Sequence, residues 1–350
     1  MMKAMDSESD SPVGVALVGY GYWGANLARN VVAAASTRLV GVVDPDDNQR
    51  ARAERATGAT SWRTLKEALA DPEVEAVVLA TPAHSHEELA IEILEAGRHV
   101  LVEKPLAMDV AGGTRIVEAA ESRGLTLMVG HTFLYAGPVR HLQSSIRSGE
   151  LGRVQYLSSQ RLSLGRVRRD CNALWNFAPH DISILCYLLG EVPVTASGTG
   201  FSFVQPGIFD VCFASLEFPS GIGAHVQVSW LDPRKTRLLT IVGDQKMAIY
   251  NDVSADQKLW IVDAGVARNE SLGEYESMGE FQLKTRAGDI VIPNLPFAEP
   301  LLVEIEDFGE SCRTGRQPVA NGRHGIDVVA VLQAVDASMN EGGAPVEVAT

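Results

Sequence analysis

The sequence has few cysteines, a deficit of basic residues and no long apolar run. Its four cysteines form no CxxC pair, which favours reduced thiols over disulfides or a zinc site. Its net charge of −14 argues against nucleic-acid binding, which needs basic stripes. No apolar run approaches the roughly 20 residues that span a bilayer. We therefore expect a cytoplasmic protein that binds neither nucleic acid, membrane nor metal.

The first residues, MMKAMDSESDSP, lack the basic start and apolar middle of a signal peptide. We predict a disordered tail over residues 1–12. The 350 residues exceed a typical single domain, and 46% of them are hydrophobic, so we expect two domains with substantial cores.

Residues 13–130 alternate short apolar runs with helical patterns. Such an alternation predicts a parallel sheet covered by helices on both faces, a doubly wound α/β domain of the Rossmann type. The predicted strands are 13–18, 39–43, 76–80, 99–102 and 125–129, and predicted helices include 87–96 and 110–122.

Residues 131–350 carry longer strand patterns separated by turn residues. They predict a second, α+β domain on a mainly antiparallel open sheet, with two late helices. The predicted strands are 154–162, 209–218, 223–230 and 237–242. One late helix carries Leu301, Ile305, Phe308 and Cys312 on one face, and the other carries Val328, Val331, Leu332, Val335 and Met339.

A glycine motif, GYGYWG at 19–24, follows the first predicted strand and opens a helix. In a dinucleotide site Gly19 makes the tight turn, Gly21 lets the backbone approach the pyrophosphate, and Gly24 allows close helix–strand packing. Asp44 ends the second strand, where a carboxylate accepts hydrogen bonds from ribose hydroxyls. The alternative is a glycine-rich turn without a ligand.

The residues after Asp44 bear on the choice of cofactor. Asp46 and Asp47 add negative charge where the 2′-phosphate of NADP would lie, and Arg50 is the nearest cation. This pattern favours NAD over NADP.

Thr81, Pro82 and His86 follow the strand at 76–80. Ligand crevices form at the carboxyl edge of parallel sheets, so Thr81 and His86 are candidates to line the cofactor. A metal site at His84 and His86 would need a third ligand, and no Cys or His partner stands at a suitable spacing.

The stretch HVLVEKPLA at 99–107 places Lys104 after a buried strand, at the same edge as the glycine motif. Pro105 restricts Lys104 to an extended backbone. A lysine here can project towards the nicotinamide end of a dinucleotide. The alternative is a surface lysine that pairs with Glu103.

A second group of polar residues occurs in DCNALWNFAPHDISILCYLLG at 170–190. Pro179 is tolerated best in a first turn, so we predict a helix that begins near Asn176. Asn176 and His180 then share one face, and a histidine can exchange a proton near neutral pH. Alternatively, Asn176 caps the helix and His180 is a satisfied core group.

Together GYGYWG, Thr81-Pro82 with His86, Glu103-Lys104-Pro105 and LWNFAPHDI resemble the Gfo/Idh/MocA oxidoreductases. The resemblance covers nearly the whole chain and is greatest to the branch that oxidises sugars at C3. That branch includes nucleotide-sugar 3-dehydrogenases and relatives in amino-sugar and aminoglycoside pathways.

The resemblance implies that Lys104 and His180 face the substrate oxygen beside the nicotinamide. It also implies a homodimer or homotetramer formed through the C-terminal sheet. Many relatives carry aspartate where this chain has Asn176, which cannot take a proton. The predicted cofactor-binding residues are Gly19, Gly21, Tyr22, Trp23, Gly24, Asp44, Thr81, Pro82, His86, Glu103 and Lys104.

The substrate is less constrained than the chemistry. Arg161, Arg166, Arg168 and Arg169 could grip the diphosphate of a nucleotide sugar, or form an exposed basic hairpin or ion-pairing patch. The overall acidity instead suits a cationic aminoglycoside. The predicted substrate-binding residues are Lys104, Arg168, Asn172, Asn176 and His180.

Two other functions of the superfamily remain open at this point. One is an NAD-binding regulator that has lost catalysis, against which the presence of both Lys104 and His180 argues. The other is an NAD-dependent glycosidase that oxidises C3 only transiently.

Overall fold

The computed structural model describes residues 11–165, 167–266 and 285–349. Its contacts divide the chain into two compact units. The first comprises the chain up to Ala136 together with Ala298–Gln333, and the second comprises Gly137–Phe297 and Ala334–Ala349. The sequence pattern predicts residues 298–333 in the second domain, but by their contacts they belong to the first unit. No helix within the described ranges is long and apolar enough to cross a membrane.

The first unit is built on a parallel sheet with helices between its strands. The strands are β1 (Val13–Val18), β2 (Thr37–Val43), β3 (Thr60–Trp62), β4 (Ala76–Leu79), β5 (His99–Val102) and β6 (Leu127–Val129). The helices are α1 (Gly24–Ala33), α2 (Asp47–Thr57), α3 (Leu65–Leu69), α4 (His86–Glu95) and α5 (Val110–Glu121).

The strand order in this sheet is β3-β2-β1-β4-β5-β6, and every pairing is parallel. Every residue of β1 and β4 is buried, as expected for central strands covered on both faces. The order reverses between β1 and β4, which is where open α/β sheets bind ligands at the carboxyl ends of their strands. The predicted Rossmann fold is confirmed.

Three elements of this unit were absent from the sequence prediction. Helix α2 buries only Ala53, so it lacks the apolar periodicity that predicts a helix. Strand β3 has three residues. Helix α3 has a usable signal, since Thr64 and Glu67 form a capping box at its start.

The second unit contains a mixed, mainly antiparallel sheet, as predicted. In the described part of the chain its order is β14-β13-β12-β11-β7-β10-β9-β8-β15, and only β7 and β10 pair in parallel. The strands are β7 (Val154–Leu164), β8 (Thr195–Phe201), β9 (Val211–Glu217), β10 (Gly223–Ser229), β11 (Leu231–Gly243), β12 (Met247–Asn251), β13 (Leu259–Val266), β14 (Thr285–Val291) and β15 (Val346–Glu347).

The remaining helices are α6 (Gly137–Arg147), α7 (Ala173–Leu189), α8 (Pro300–Thr314) and α9 (Gly322–Asn340). Helix α7 contacts β7, β9 and β10 and so covers one face of the second sheet. The two late helices predicted from the sequence are α8 and α9. Leu301, Ile305 and Phe308 of α8 are buried, as their spacing predicts.

Helix α7 begins one turn earlier than predicted. Asn172 is its N-cap and accepts a hydrogen bond from the Trp175 N–H (3.1 Å) through its side-chain oxygen. Pro179 therefore lies inside the helix and not in its first turn. The capping bond at Asn172 decides the start, because it satisfies an N–H that would otherwise lack a partner there.

Candidate active site

The glycine motif connects β1 to α1, and each of its three glycines is needed for a different structural reason. Gly19 has a φ of +95°, and a side chain on Gly24 would lie 2.0 Å from the Gly19 carbonyl oxygen. Around Gly21, by contrast, no atom lies within 4 Å of the position of an added Cβ. Gly21 therefore leaves open space along the backbone, as the close approach of a pyrophosphate requires.

The start of α1 also suits an anion. Its N-cap residue, Trp23, makes no side-chain capping bond, and its first turn has no acidic residue. In comparison, Asp46 caps α2 and Asp109 caps α5. Neither a capping side chain nor an acidic residue thus competes with a phosphate at this end of α1, and the helix dipole adds attraction.

Asp44 lies at the carboxyl end of β2 and is held by the backbone. One carboxylate oxygen accepts from the Tyr20 N–H (2.8 Å) and the other from the Asp46 N–H (2.9 Å). Arg50 donates to the Asp44 carbonyl oxygen (2.7 Å) and forms an ion pair with Asp47. The cation nearest to a 2′-phosphate is therefore already engaged, in agreement with NAD as the cofactor.

His86 joins the ends of two strands. Its Nδ1 lies 2.8 Å from the Pro105 carbonyl oxygen and its Nε2 lies 3.0 Å from the Thr81 carbonyl oxygen. The side chain is 1% exposed, and burial lowers its pKa against the raising effect of these two hydrogen bonds. These contacts connect the turn after β4 to the loop that carries Lys104, and the role of His86 in lining the cofactor stays a prediction.

Glu103, the residue before Lys104, is buried beside the glycine motif. One of its oxygens accepts from the Trp23 indole Nε1 (2.5 Å) and the other from the Lys104 backbone N–H (3.2 Å). Burial raises the pKa of Glu103, while the Lys104 charge and the Trp23 bond oppose that shift. A side chain at Gly130 would come within 3.0 Å of this carboxyl group. The site thus holds a carboxylate tightly enclosed between the cofactor motif and the candidate lysine.

Two further buried polar residues near the Glu103–Lys104 pair were missed from the sequence. His131 is 2% exposed directly after β6, and neither ring nitrogen has a hydrogen-bond partner among the described residues. Burial, then His324 and Lys104, lowers its pKa well below 6.5. Glu304 of α8 is fully buried and accepts from the Thr132 hydroxyl (2.8 Å). Only His131, at the end of a predicted parallel strand, had a signal that could have found it.

In the second unit, Asn176 and His180 lie one turn apart on α7, and both are half-buried. The next residue, Asp181, is buried and binds Arg161 (2.7 Å) and the Ser159 hydroxyl (2.7 Å). This pairing fixes the rotation of α7 at the position of His180. Arg161 is thus part of the core of the unit.

The other predicted substrate-binding residues have additional contacts. Arg168 is exposed and forms an ion pair with Asp170 (2.5 Å). The Asn172 side chain, besides capping α7, donates to Asp336 (2.8 Å). Arg166 lies outside the described residues, and Arg169 is exposed. Arg161 is buried while Arg168 and Arg169 are exposed, so these three described arginines do not form one uniform basic patch.

The first unit thus brings together the glycine motif, Asp44, Thr81 and the Glu103–Lys104 pair. The second unit presents Asn176 and His180 on one helix. The four cysteines all lie in the described ranges, and no disulfide joins them. Across the described ranges, no group of three or more His, Cys, Asp or Glu side chains is arranged to hold a metal ion.

Comparison with known families identifies both parts of the chain. Residues 13–131 match the model described as "Oxidoreductase family, NAD-binding Rossmann fold" of the Gfo/Idh/MocA family. Residues 139–249 match that family's C-terminal domain. The chain belongs to the Gfo/Idh/MocA family. Its first unit is accordingly an NAD-binding Rossmann domain.

Individual relatives agree with this assignment. A scyllo-inositol 2-dehydrogenase (NAD(+)) of Bacillus subtilis is 25% identical, and the alignment covers 95% of each chain. UDP-N-acetylglucosamine 3-dehydrogenase GnnA of Acidithiobacillus ferrooxidans has a TM-score of 0.79 at 23% identity, over 94% of this chain and 98% of that one. GenD2 of gentamicin A biosynthesis, solved in complex with NAD, has a TM-score of 0.81 at 23% identity over 100% of both chains.

The two solved structures show a shared fold. Other curated relatives match over less of their length, and the aligned region spans 58% of three of them.

Proposed function

We propose that this protein is an NAD-dependent dehydrogenase that oxidises a secondary hydroxyl of a sugar to a ketone, at C3 of a nucleotide sugar or amino sugar. The observation that carries this proposal is the contact between the Trp23 indole and Glu103. It joins the residue before Lys104 to the glycine motif, which supports a position of the candidate lysine in the cofactor crevice. An isolated surface lysine would have no such connection.

The proposed chemistry divides the reaction between two residues. Oxidation removes a hydride from the carbinol carbon and a proton from its hydroxyl, and NAD, when bound, supplies the hydride acceptor. His180 takes the hydroxyl proton as general base. Lys104 binds the same oxygen and stabilises its developing negative charge. Ketone reduction uses the same residues with the opposite proton flow.

Asn176 gives this site a particular character. An amide can orient a sugar hydroxyl by hydrogen bonds but cannot accept its proton at neutral pH. Proton transfer therefore depends on His180, one turn away on α7. Arg168 and Asn172 complete the proposed substrate-binding set.

Three observations bear on the substrate. GnnA is named a UDP-N-acetylglucosamine 3-dehydrogenase, which supports the 3-position of a nucleotide sugar. GenD2 is named for gentamicin A biosynthesis, which supports a substrate of antibiotic biosynthesis. Arg161 is engaged with Asp181, which leaves fewer arginines for a diphosphate than the sequence offers. The net charge of −14 supports the second candidate, an aminoglycoside 3-dehydrogenase or keto-sugar reductase of antibiotic or deoxysugar biosynthesis.

We also propose a homo-oligomer formed through the second sheet. Phe201 and Phe203, which stack with centroids 6.1 Å apart, are 45% and 70% exposed. Tyr156 on β7 is 50% exposed. Exposed aromatic residues of this kind are enriched at protein interfaces. Light scattering on Phe203→Asp would detect dissociation, and an unchanged mass would count against this surface. A cytoplasmic location stays a prediction.

The function is tested by NADH formation with a panel of nucleotide sugars, amino sugars and aminoglycosides. We expect turnover with the wild type on one class, and Lys104→Ala and His180→Ala to lose most of it while still binding NADH. Inhibition by UDP or dTDP would support a nucleotide sugar, and its absence would favour the aminoglycoside. NADH binding without turnover on any member would favour a regulator, and sugar release without net NADH a glycosidase.

A further inference from the structure

The backbone on either side of Lys104 is linked by hydrogen bonds to residues of other loops. On one side, Glu103 bonds to the Trp23 indole and to the Lys104 backbone N–H. On the other side, the Pro105 carbonyl faces the His86 ring at 2.8 Å. The backbone of Lys104 is therefore fixed by groups that belong to the turns after β1 and β4.

Trp23 is a defined anchor for this arrangement. It precedes Gly24, whose close packing on the Gly19 carbonyl leaves no space for a side chain. Its carbonyl oxygen accepts the N–H groups of Asn26 (2.9 Å) and Leu27 (3.2 Å), which commits its backbone to α1. The indole therefore extends from a rigid turn to a residue 80 positions away in sequence.

The enclosure of Glu103 makes its two bonds consequential. Glu103 is buried, and Gly130 closes its other side, at a distance that excludes a Cβ. Glu304 of α8, itself fully buried, lies near enough for the Glu103 charge to raise its pKa. A buried carboxylate that loses a donor has no water to replace it, so it must move or take a proton.

We propose that Trp23 and Glu103 are positioning residues that couple the cofactor-binding turn to the placement of Lys104. A shift of the glycine motif on cofactor binding reaches the lysine through the indole, the carboxylate and the Lys104 N–H. This inference rests on the proposed function for its kinetic consequence, while the coupling itself is a property of the protein without substrate.

The first test is hydrogen exchange at single backbone amides, with and without NAD. In Trp23→Phe we expect the Lys104 amide to exchange about tenfold faster, because its acceptor is released. The neighbouring Glu103 amide, bonded to the Leu79 carbonyl (2.9 Å), should keep its wild-type rate. NAD should slow exchange at Lys104 in the wild type and have no such effect in Trp23→Phe.

Tyr135→Phe is a matched control. Its hydroxyl also donates from an aromatic ring to a buried carboxylate, that of Asp307 (2.6 Å). We expect Tyr135→Phe to lower the melting temperature about as much as Trp23→Phe does. The exchange rate of the Lys104 amide should stay at its wild-type value. This control separates a general loosening of the unit from an effect carried by Glu103.

The kinetic test uses Trp23→Phe, Glu103→Gln and the double variant. The amide introduced by Glu103→Gln would keep an acceptor for the indole but place a donor against the Lys104 N–H. We expect each single change to lower kcat about 10- to 100-fold with the sugar KM little altered. The double variant should lose less than the product of the two factors, because both act through one contact.

Wild-type exchange at Lys104 in Trp23→Phe, equal NAD protection in that variant, or multiplicative losses in the double variant would each overturn the proposal. If the wild type turns over no sugar, the proposed function fails. The exchange measurements still decide the coupling in that case.

Discussion

Replacing Asp181 with alanine tests whether Arg161 belongs to the fold or to the substrate site. The guanidinium Nε lies 2.7 Å from one carboxylate oxygen of Asp181, and an Nη lies 3.3 Å from the other. The side chains of Arg161 and Asp181 are 8% and 5% exposed, so water cannot replace either partner. Asp181→Ala removes the carboxylate that the guanidinium binds at these distances and also removes the acceptor of the Ser159 hydroxyl.

Loss of one partner from a buried ion pair costs about 3–5 kcal/mol of unfolding free energy. For a unit of this size, each kcal/mol lowers the melting temperature by about 2–4 °C, so we expect a fall of about 6–20 °C. Arg161→Met with Asp181→Leu removes both charges and should recover most of that loss. Differential scanning calorimetry measures both variants.

The single variant Asp181→Ala and the double variant together distinguish a structural role of Arg161 from a role in substrate binding. A wild-type melting temperature in Asp181→Ala would refute the structural role. A double variant that is as stable as the wild type, but is no longer inhibited by UDP when the wild type is, would mean that Arg161 also binds the substrate. We expect its inhibition by UDP to match that of the wild type.

Three other predictions concern the cofactor site and its buried acids. Gly21→Ala should weaken NADH binding, measured by fluorescence titration, without lowering the melting temperature, because its Cβ meets no protein atom. Gly24→Ala should lower both the NADH affinity and the melting temperature, because its Cβ would lie 2.0 Å from a carbonyl oxygen. Equal effects of the two changes on stability would contradict these roles. Asp44→Ala should reduce the preference for NAD over NADP at least about tenfold, since a charged hydrogen bond to the ribose contributes about 1.5–3 kcal/mol; an unchanged ratio of the two affinities would contradict this. Burial, and to a lesser extent the Glu103 charge, raises the pKa of Glu304 well above its usual 4.5. The folded state therefore retains a proton that the unfolded chain releases. As the pH rises above 4.5, this difference lowers the free energy of unfolding. Glu304→Gln should therefore raise the melting temperature more at about pH 8 than at about pH 5; an equal change at both pH values would show that Glu304 does not carry this proton.

Much of the first unit follows from local sequence. The buried runs of β1, β4 and β5, with glycine and polar residues at their carboxyl ends, predict both the parallel sheet and the edge that bears Lys104. Such predictions succeed because side-chain periodicity and chain order together determine a Rossmann topology.

The contacts around Lys104 depend on tertiary structure. The Trp23–Glu103 bond spans 80 positions and the Thr132–Glu304 bond spans 172. No local pattern encodes which of many acidic residues is buried next to another. The sequence therefore predicts Lys104 and Glu103 as candidate residues, but not the contact of Glu103 with Trp23 or the buried Glu304.

The start of α7 shows a different limit. Pro179 predicted a first turn near Asn176, but the side chain of Asn172 caps the helix and outweighs the proline signal. For the arginines before α7, the sequence did not distinguish residues that bind a diphosphate from residues that form ion pairs. Only the packing of β7 against α7 shows that Arg161 faces Asp181 while Arg168 stays exposed.

The most direct test of the central claim follows one hydrogen atom. A panel of sugars deuterated at C3 is incubated with the enzyme and NAD, and the resulting NADH is analysed by mass spectrometry. We predict deuterium in the NADH formed by the wild type, and its near-absence with Lys104→Ala and His180→Ala under the same conditions. Turnover that yields NADH without deuterium, or equal transfer by those two variants, would contradict C3 oxidation by these residues.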